Sequence, residues 1–217
     1  MRVVIAGGHG AIAQHVIKGL AAAGHEAVGL IRNPDHAADL VAIGGIPVVL
    51  DLEQLDAATL ATDIAGADAV LFAAGAGPGS GPERKLTVDR DGAILLADAA
   101  ERAGIRRYVM ISAIATDDFD PDSDEVYQIY LRAKSEADAD LRRRDLDWTI
   151  VRPGGLTNDP GTGTVTVAES TGRGQIPRAD VAAVITELLI NGGGVRHQFE
   201  LITGTTPITE ALATLDS

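Results

Sequence analysis

The sequence contains no cysteine and few aromatic or basic residues, and each shortage excludes a class of protein. Without cysteine, the 217-residue chain forms no disulfide, no cysteine–metal site and no thiolate nucleophile. Seven aromatic residues are too few for a platform on which nucleic-acid bases stack. Lysine and arginine number 18 against 31 acidic residues, which gives a net charge of −13. Neither nucleic acid nor an anionic membrane is therefore an expected partner.

The sequence also lacks long apolar runs and the spacing of metal ligands. The first apolar stretch ends at Gly7, too early for a signal peptide, and no later run reaches membrane-spanning length. The five histidines show neither an HExxH motif nor paired ligand spacing, so we predict no metal site. We expect a cytoplasmic protein.

Short β-rich segments alternate with amphipathic Ala/Leu-rich segments over the first 151 residues. The predicted strands are 3–5, 27–31, 46–50, 69–72, 107–111 and 148–151. The predicted helices are 34–41, 11–22, 57–64, 84–103 and 126–144. This alternation predicts an α/β fold with a doubly wound parallel sheet, a Rossmann fold, and the continuously apolar strands agree with cover on both faces.

The pattern is looser after Val151. It predicts a strand at 163–168, a helix at 179–190, a strand at 198–202 and a last helix at 208–215. We therefore expect a single domain over residues 1–217, in which residues 152–217 complete the core and add a small extension on the substrate side. Substrate specificity is expected in the loops at 75–82, 112–125 and 157–175, which carry no period to interpret. The sequence predicts no particular oligomeric state.

A glycine-rich turn joins the first predicted strand to the first helix. It reads Gly7-Gly8-His9-Gly10-Ala11-Ile12-Ala13, which fits G-x-G-x-x-A from Gly8 and G-x-x-G-x-x-A from Gly7. Glycines let backbone N–H groups approach a pyrophosphate, and the helix N-terminus presents positive partial charge to it. We predict that residues 7–12 bind a dinucleotide; a tight turn without a ligand is the alternative.

The end of the second strand carries Arg32 and Asn33. A strict NAD binder usually has an acidic residue here, which accepts from the ribose 2′-OH. Arginine instead suits a 2′-phosphate through its charge and planar donors. The sequence therefore favours NADP(H) over NAD(H), although Asp35 lies close enough in the chain to keep NAD(H) possible.

Two further strand ends supply candidate cofactor contacts. Asp51 and Leu52 follow the third strand, where Asp51 either contacts the adenine amine or caps a helix. Ala73, Ala74 and Gly75 follow the fourth strand. Their small side chains allow the middle of a dinucleotide to pass close to the backbone. The alternative is that these residues only form a flexible loop.

Tyr130 and Lys134 lie four residues apart, on one face of a predicted helix. A neighbouring ammonium is expected to lower the tyrosine pKa and make Tyr130 an acid–base group, while Lys134 also donates to the nicotinamide ribose. Ser112, at the carboxyl end of the fifth strand, is positioned to hold a substrate oxygen. An amphipathic helix that carries Tyr and Lys by accident is the alternative.

These motifs together resemble the atypical branch of the short-chain dehydrogenase/reductase superfamily, the compact NAD(P)-binding proteins of NmrA-like and epimerase-like type. The resemblance covers essentially the whole chain, and its carriers are 7–13, 32–34, 51–52, 130–134, 148–156, 176–182 and 206–212. It implies a Rossmann core, a nicotinamide cofactor and a catalytic Tyr130–Lys134 pair. It further implies that the backbone of Pro153, Gly154, Gly155 and Leu156 wraps the nicotinamide.

Two functions from different classes follow. The first is an NADP(H)-dependent oxidoreductase acting on a small carbonyl or alcohol, with Tyr130 as acid/base. The second is a non-catalytic NADP(H) sensor, because the branch contains redox-silent members. A sugar-nucleotide epimerase ranks lower, since little chain follows Val151 to build a substrate domain, and a flavin or tetrapyrrole reductase stays open.

Residues 117–125 hold six acids in nine positions. They do not fit a calcium loop, because Glu125 and Leu131 stand where a glycine and a glutamate are needed. We expect a solvated, mobile loop beside the active site that disfavours anionic substrates by charge repulsion.

Overall fold

The computed structural model describes residues 1–77 and 79–216, so position 78 in the predicted loop 75–82 lies outside the described residues. The strands are β1 (Arg2–Ala6), β2 (Glu26–Ile31), β3 (Ile46–Val49), β4 (Ala69–Phe72), β5 (Arg107–Ile111), β6 (Asp147–Pro153), β7 (Gly155–Thr157), β8 (Thr164–Ala168), β9 (Gln175–Pro177), β10 (His197–Thr203) and β11 (Thr206–Pro207).

Helices connect most of these strands. They are α1 (Ala11–Ala22), α2 (Ala37–Ala42), α3 (Ala57–Asp63), α4 (Pro82–Arg84), α5 (Gly92–Ala103), α6 (Val126–Arg142), α7 (Arg178–Asn191) and α8 (Ile208–Ala213). Short 3₁₀ helices lie at Pro34–His36, Leu52–Gln54, Thr116–Asp118 and Thr214–Asp216. The segment Lys85–Asp91, called the π segment below, is π-helical and joins α4 to α5.

The large sheet has the strand order β11-β8-β10-β6-β5-β4-β1-β2-β3. The parallel strands of this sheet are, in spatial order, β10, β6, β5, β4, β1, β2 and β3. Val3 of β1 lies beside Ala27 of β2 and Ala69 of β4. The predicted doubly wound parallel sheet is confirmed. The chain reverses its direction of winding between β1 and β4, and this reversal opens a crevice at the carboxyl ends of the strands, where such folds bind ligands.

The strands are apolar throughout because each face of the sheet buries a separate core. Val3 and Ile5 of β1 pack with α1 and α7 in one core. Val4 and Ala6 pack with α3 and α5 in the other. Successive side chains of a strand point to opposite faces, so both sets must be hydrophobic when helices cover both faces.

The structure adds details that the sequence pattern did not predict. Strand β8 occupies the predicted position but runs antiparallel to β10 and to β11. β7 and β9 form a separate two-stranded sheet. These short strands have too few residues to show a period. Among the described residues, every helix falls short of the length and apolar character that a membrane span requires.

Candidate dinucleotide site and active site

The glycine-rich turn after β1 forms a cradle that has no room for side chains. Gly7 has a φ of +80°, and a Cβ atom on it would lie 2.5 Å from the Cα atom of Ala74. A Cβ atom on Gly8 would lie 2.6 Å from the Cα atom of Gly29. Both positions therefore require glycine, which is the only residue without a Cβ.

Helix α1 begins at this cradle with its N–H groups toward the crevice. Gly10 is the N-cap, and its own N–H donates to the carbonyl of Gly7 at 2.8 Å. Among the described residues no side chain caps this helix, and its first turn holds no acid. The N–H groups of Ala11 and Ile12 and the helix dipole can therefore serve an anion such as a pyrophosphate.

A cleft of about 260 Å³ lies along the carboxyl ends of β1 to β4. It brings together ten of the predicted cofactor residues: Gly7, His9, Gly10, Arg32, Asn33, Asp51, Leu52, Ala73, Ala74 and Gly75. Their contact with a dinucleotide stays a prediction. The cleft also gathers residues that the sequence pattern did not indicate, among them His36, Glu53 and Arg84.

Arg32 faces an ionic cluster at the end of this cleft. Its Nη1 atom lies 3.4 Å from Oε2 of Glu53, and its side chain is 57% exposed. Glu53 accepts shorter hydrogen bonds from Arg84 at 2.8 Å and from Thr87 at 2.6 Å, and these lower the pKa of Glu53. Because Arg84 and Thr87 hold the carboxylate, the Arg32 guanidinium remains accessible to a ligand.

The side chains of Asp51 and Asn33 also cap short helices. Asp51 accepts from the N–H of Glu53 at 3.1 Å, and Asn33 accepts from the N–H of Asp35 at 3.0 Å. The capping alternative for Asp51 is thus observed, and Asp51 is also one of the residues that line the cleft.

The rim of the cleft carries a fixed pair of histidines. Nε2 of His9 lies 2.8 Å from Oδ2 of Asp39. The His9 ring stacks on that of His36 with their centroids 3.6 Å apart and their planes 12° apart. These contacts orient the His9 ring at the edge of the glycine cradle.

Lys134 lies in the interior, between α6 and the strand ends. Its side chain is 5% exposed, and its Nζ atom donates to the carbonyl of Ile111 at 3.2 Å. Nζ also lies 3.5 Å from Oδ1 of the buried Asp89, whose Oδ2 atom accepts from the N–H of Ala76 at 3.1 Å. Lys134 and Asp89 therefore tie α6, β5, the π segment and the loop after β4 into one unit.

Tyr130 lies one helical turn before Lys134 and is half-buried. Burial and the negative charge of Asp89 raise the pKa of Tyr130 above its ordinary value. The expectation that Lys134 lowers this pKa is wrong in direction, because burial of the Tyr130 hydroxyl and the charge of Asp89 raise it. Tyr130 is thus protonated at neutral pH.

Two side chains flank the Tyr130 ring. The Tyr127 ring stacks against it with centroids 6.2 Å apart. The Nζ atom of Lys85 lies 5.6 Å from the centroid of the Tyr130 ring. The sequence pattern did not single out Lys85 as a neighbour of Tyr130.

Ser112 belongs to a buried polar network. Its hydroxyl donates to Oδ2 of Asp138 at 2.8 Å, and Nε of Arg152 donates to the same oxygen at 2.9 Å. Burial raises the pKa of Asp138, while Arg152 and Ser112 oppose that rise. Asp138 follows Tyr130 and Lys134 at four-residue steps, so the helical spacing was the available signal for it. The predicted role of Ser112 toward a substrate remains untested.

The acidic loop is anchored at its first residue. Nη1 of Arg152 lies 2.7 Å from Oδ2 of Asp117, and this contact lowers the pKa of Asp117. The later acids of the loop are exposed. In the described part of the chain, no cluster of three or more His, Asp or Glu residues could hold a metal ion.

The predicted nicotinamide segment, Pro153 to Leu156, follows β6 at the same sheet edge. The N–H of Gly154 donates to the carbonyl of Leu201 at 2.9 Å, and that of Gly155 to the carbonyl of Gly174 at 2.9 Å. Leu156 is exposed. These hydrogen bonds hold the segment against β10 and the turn before β9.

A doubly wound parallel sheet with a glycine cradle at its crevice defines a Rossmann-fold protein of the kind that binds dinucleotides. The sequence profile of the NAD(P)H-binding family matches residues 7–191. The chain belongs to this family, within the atypical branch of the short-chain dehydrogenases/reductases. The resemblance drawn from the motifs is confirmed.

Similar proteins align with nearly the full length of this chain. The uncharacterized sugar epimerase YhfK of Bacillus subtilis is 37% identical over 216 residues, which is 99% of this chain and 100% of that protein. A Bacillus halodurans structure, provisionally named an NAD-dependent epimerase/dehydratase, superposes with a TM-score of 0.91 at 39% identity and covers 99% of this chain and 100% of its own. The oxidoreductase ylbE of Lactococcus lactis has a TM-score of 0.85 at 26% identity, covering 99% and 96%.

Proposed function

We propose that this protein is an NADP(H)-dependent oxidoreductase that transfers hydride to or from a small carbonyl or alcohol substrate. One observation carries the proposal: a protonated, half-buried Tyr130 lies on the helix that Lys134 and Asp89 fix to the loop bordering the cofactor cleft. A positioned proton donor beside a hydride carrier is what carbonyl reduction requires.

The residues of the cleft fit a nicotinamide dinucleotide. The cradle at Gly7 and Gly8 excludes any Cβ, and the start of α1 offers backbone N–H groups to a pyrophosphate. When bound, the cofactor supplies or accepts the hydride. Ala73 to Gly75 would then contact the middle of the dinucleotide, and Pro153 to Leu156 its nicotinamide end.

The preference for NADP(H) rests on Arg32. Its exposed guanidinium lies at the end of β2, where the ribose 2′ position falls in this fold. The only acid within 4.0 Å of it among the described residues is Glu53, which Arg84 already holds. A 2′-phosphate would replace this long contact with charge-assisted hydrogen bonds.

The proton chemistry rests on Tyr130. Tyr130 is protonated at neutral pH, so its hydroxyl can donate a proton to the oxygen of a carbonyl that accepts hydride. Lys134 positions the helix that carries it. Ser112 would orient the substrate oxygen while its own hydroxyl rests on Asp138.

Two other functions compete with this proposal. Some relatives carry epimerase names, and the residues after β6 add β8, β10 and β11 to the same sheet. A non-catalytic NADP(H) sensor explains the cleft equally well. It predicts no turnover, so activity distinguishes it from a reductase.

The first experiment is a fluorescence titration with NADPH and NADH. Arg32→Ala should weaken NADPH binding about tenfold or more through the lost charged contact, and NADH binding far less. Arg143→Ala, whose side chain is 72% exposed on the far end of α6, is the matched control. Failure of both nucleotides to bind the wild type would refute the proposal.

A panel of small ketones and aldehydes then separates enzyme from sensor. Tyr130→Phe should lower kcat by roughly 10²-fold or more and leave NADPH affinity unchanged. Turnover that is unaffected by Tyr130→Phe would remove the assigned proton donor. NADPH binding without turnover of any carbonyl would favour the sensor.

A further inference from the structure

We propose that the substrate of this site carries an anionic group, a carboxylate, and that Lys85 binds it beside Tyr130. The inference rests on the proposed function and names the class of substrate that the site selects. It gives Lys85, whose contact with Tyr130 the sequence pattern did not indicate, a role in substrate specificity.

Lys85 reaches Tyr130 on α6 from the π segment. It is the first residue of the π segment, and its Nζ atom donates to the carbonyl of Gly77 at 2.9 Å. The same atom lies over the Tyr130 ring at 5.6 Å from the centroid. Insertions of π-helix into α-helices occur frequently at functional sites, where they redirect side chains.

The two contacts of Lys85 hold an ammonium group without cancelling its charge. A carbonyl and an aromatic face are neutral acceptors. Within the described ranges 1–77 and 79–216, no carboxylate oxygen lies within 4.0 Å of Lys85. Lys134, by contrast, is matched by Asp89, and the adjacent Arg84 is matched by Glu53.

A partly buried ammonium whose protein contacts are neutral can form a charge-assisted hydrogen bond with an anionic group of a ligand. The chain has a net charge of −13, so acids to pair with Lys85 are abundant in its composition. An anion paired with Lys85 would lie beside the Tyr130 ring, because the Lys85 ammonium lies over that ring. A substrate held there would present its carbonyl to the Tyr130 hydroxyl and its carboxylate to Lys85.

The acidic loop does not oppose this assignment as the sequence pattern suggested. Asp117 is paired with Arg152 at 2.7 Å. The remaining acids of residues 118–125 are exposed, where water and salt screen their charge over about 8 to 10 Å. Asp89, which faces the site from the π segment, is offset by Lys134.

The test uses oxo acids in which one to four carbons separate the carbonyl from the carboxylate, each with its neutral amide. Dissociation constants are measured on the NADP⁺-saturated protein by calorimetry or ligand-observed NMR. In the wild type, at least one acid should bind roughly tenfold tighter than its amide, as expected for one charged hydrogen bond. Lys85→Gln should abolish this preference, and Lys85→Arg should restore most of it.

Lys18→Gln is the matched control, because it removes the same charge from an exposed position on α1. It should leave the acid-to-amide ratio unchanged. The inference is overturned if no acid outbinds its amide in the wild type, or if Lys85→Gln leaves the ratio intact. Thermal melts of Lys85→Gln and Lys85→Arg verify that both variants fold.

A separate titration with NADPH distinguishes the sources of an anion. If Lys85→Gln weakens NADPH binding and spares the acid-to-amide ratio, the lysine serves a cofactor phosphate and the substrate assignment fails. If the wild type binds NADPH but shows no carboxylate preference, this inference alone fails. If the wild type binds no nucleotide, the proposed function fails with it.

Discussion

The ammonium group of Lys134 lies 3.5 Å from the carboxylate of Asp89, and both side chains are almost fully buried. Through the N–H of Ala76, the same carboxylate reaches the loop after β4. One buried ion pair therefore sets the distance between the helix that carries Tyr130 and the loop that borders the cofactor cleft.

Asp89→Asn should destabilise the protein by about 3 to 5 kcal/mol, because it leaves the buried Lys134 charge without its partner. Urea unfolding at neutral pH measures the change. Asp91→Asn is the control: it removes a carboxylate from the same π segment, but one that is 49% exposed. Its cost should stay below about 1 kcal/mol. Equal costs for the two variants would contradict the structural role of the buried pair.

Gly8→Ala should destabilise the protein by roughly 1 to 3 kcal/mol and weaken NADPH binding, because the new Cβ would lie 2.6 Å from the Cα of Gly29. Gly81→Ala tests the same substitution where a Cβ meets nothing within 4 Å and φ is −69°. It should be neutral or slightly stabilising. Unfolding curves measure the stability of both variants, and nucleotide titrations measure their affinity for NADPH. Equal losses in Gly8→Ala and Gly81→Ala would contradict the steric role of Gly8.

Glu53→Gln should make the stability less dependent on pH in the acidic range. Hydrogen bonds from Arg84 and Thr87 lower the Glu53 pKa from its ordinary 4.5. A lowered pKa contributes stability above the unfolded value that is lost as the pH falls through the folded value. The wild type should exceed the variant by about 1 kcal/mol above pH 5, and the gap should close below pH 4.5.

A gap between wild type and Glu53→Gln that widens on acidification would contradict this sign. Asp63→Asn, on the exposed end of α3, controls for the general effect of removing one acid.

Ser112→Ala should cost about 1 to 2 kcal/mol of stability, because the buried Asp138 loses one hydrogen-bond donor. Ser135→Ala removes a hydrogen bond of the same 2.8 Å length to the exposed Asp117, and this loss should cost less stability. If Ser112 also orients the substrate oxygen, kcat/KM for a reduced carbonyl should fall in Ser112→Ala while Ser135→Ala keeps it. A stable, fully active Ser112→Ala would exclude both roles.

The sequence predicts the sheet and the glycine cradle because both depend on local rules. The run Val3 to Ala6 must be apolar to serve two cores, and Gly7 and Gly8 must lack side chains. The partners of Tyr130 could not be predicted this way. Lys85 and Asp89 approach Tyr130 from the π segment, which follows a loop without periodicity. The direction of the Tyr130 pKa shift depends on burial, which no short motif encodes.

The same distinction explains the missed strands. β7, β9 and β11 have two or three residues each and exist because neighbouring backbone is available to pair with them. The position of β8 was predicted from its Thr/Val alternation, whereas its antiparallel direction follows from how the chain returns over β10.

The π segment fixes the rotational phase between the two ends of one continuous helix. An α-helix advances by about 100° per residue, and a π-helix, whose hydrogen bonds span five residues instead of four, advances by less. The 7 residues from Lys85 to Asp91 therefore cover about the rotation that 6 residues cover in a regular α-helix. The buried face of α5 keeps nearly the same phase relative to α4 as in a regular helix, while the segment between them holds one residue more. The helix that carries Lys85 and Asp89 thus presents one more side chain than a regular helix of the same rotation would.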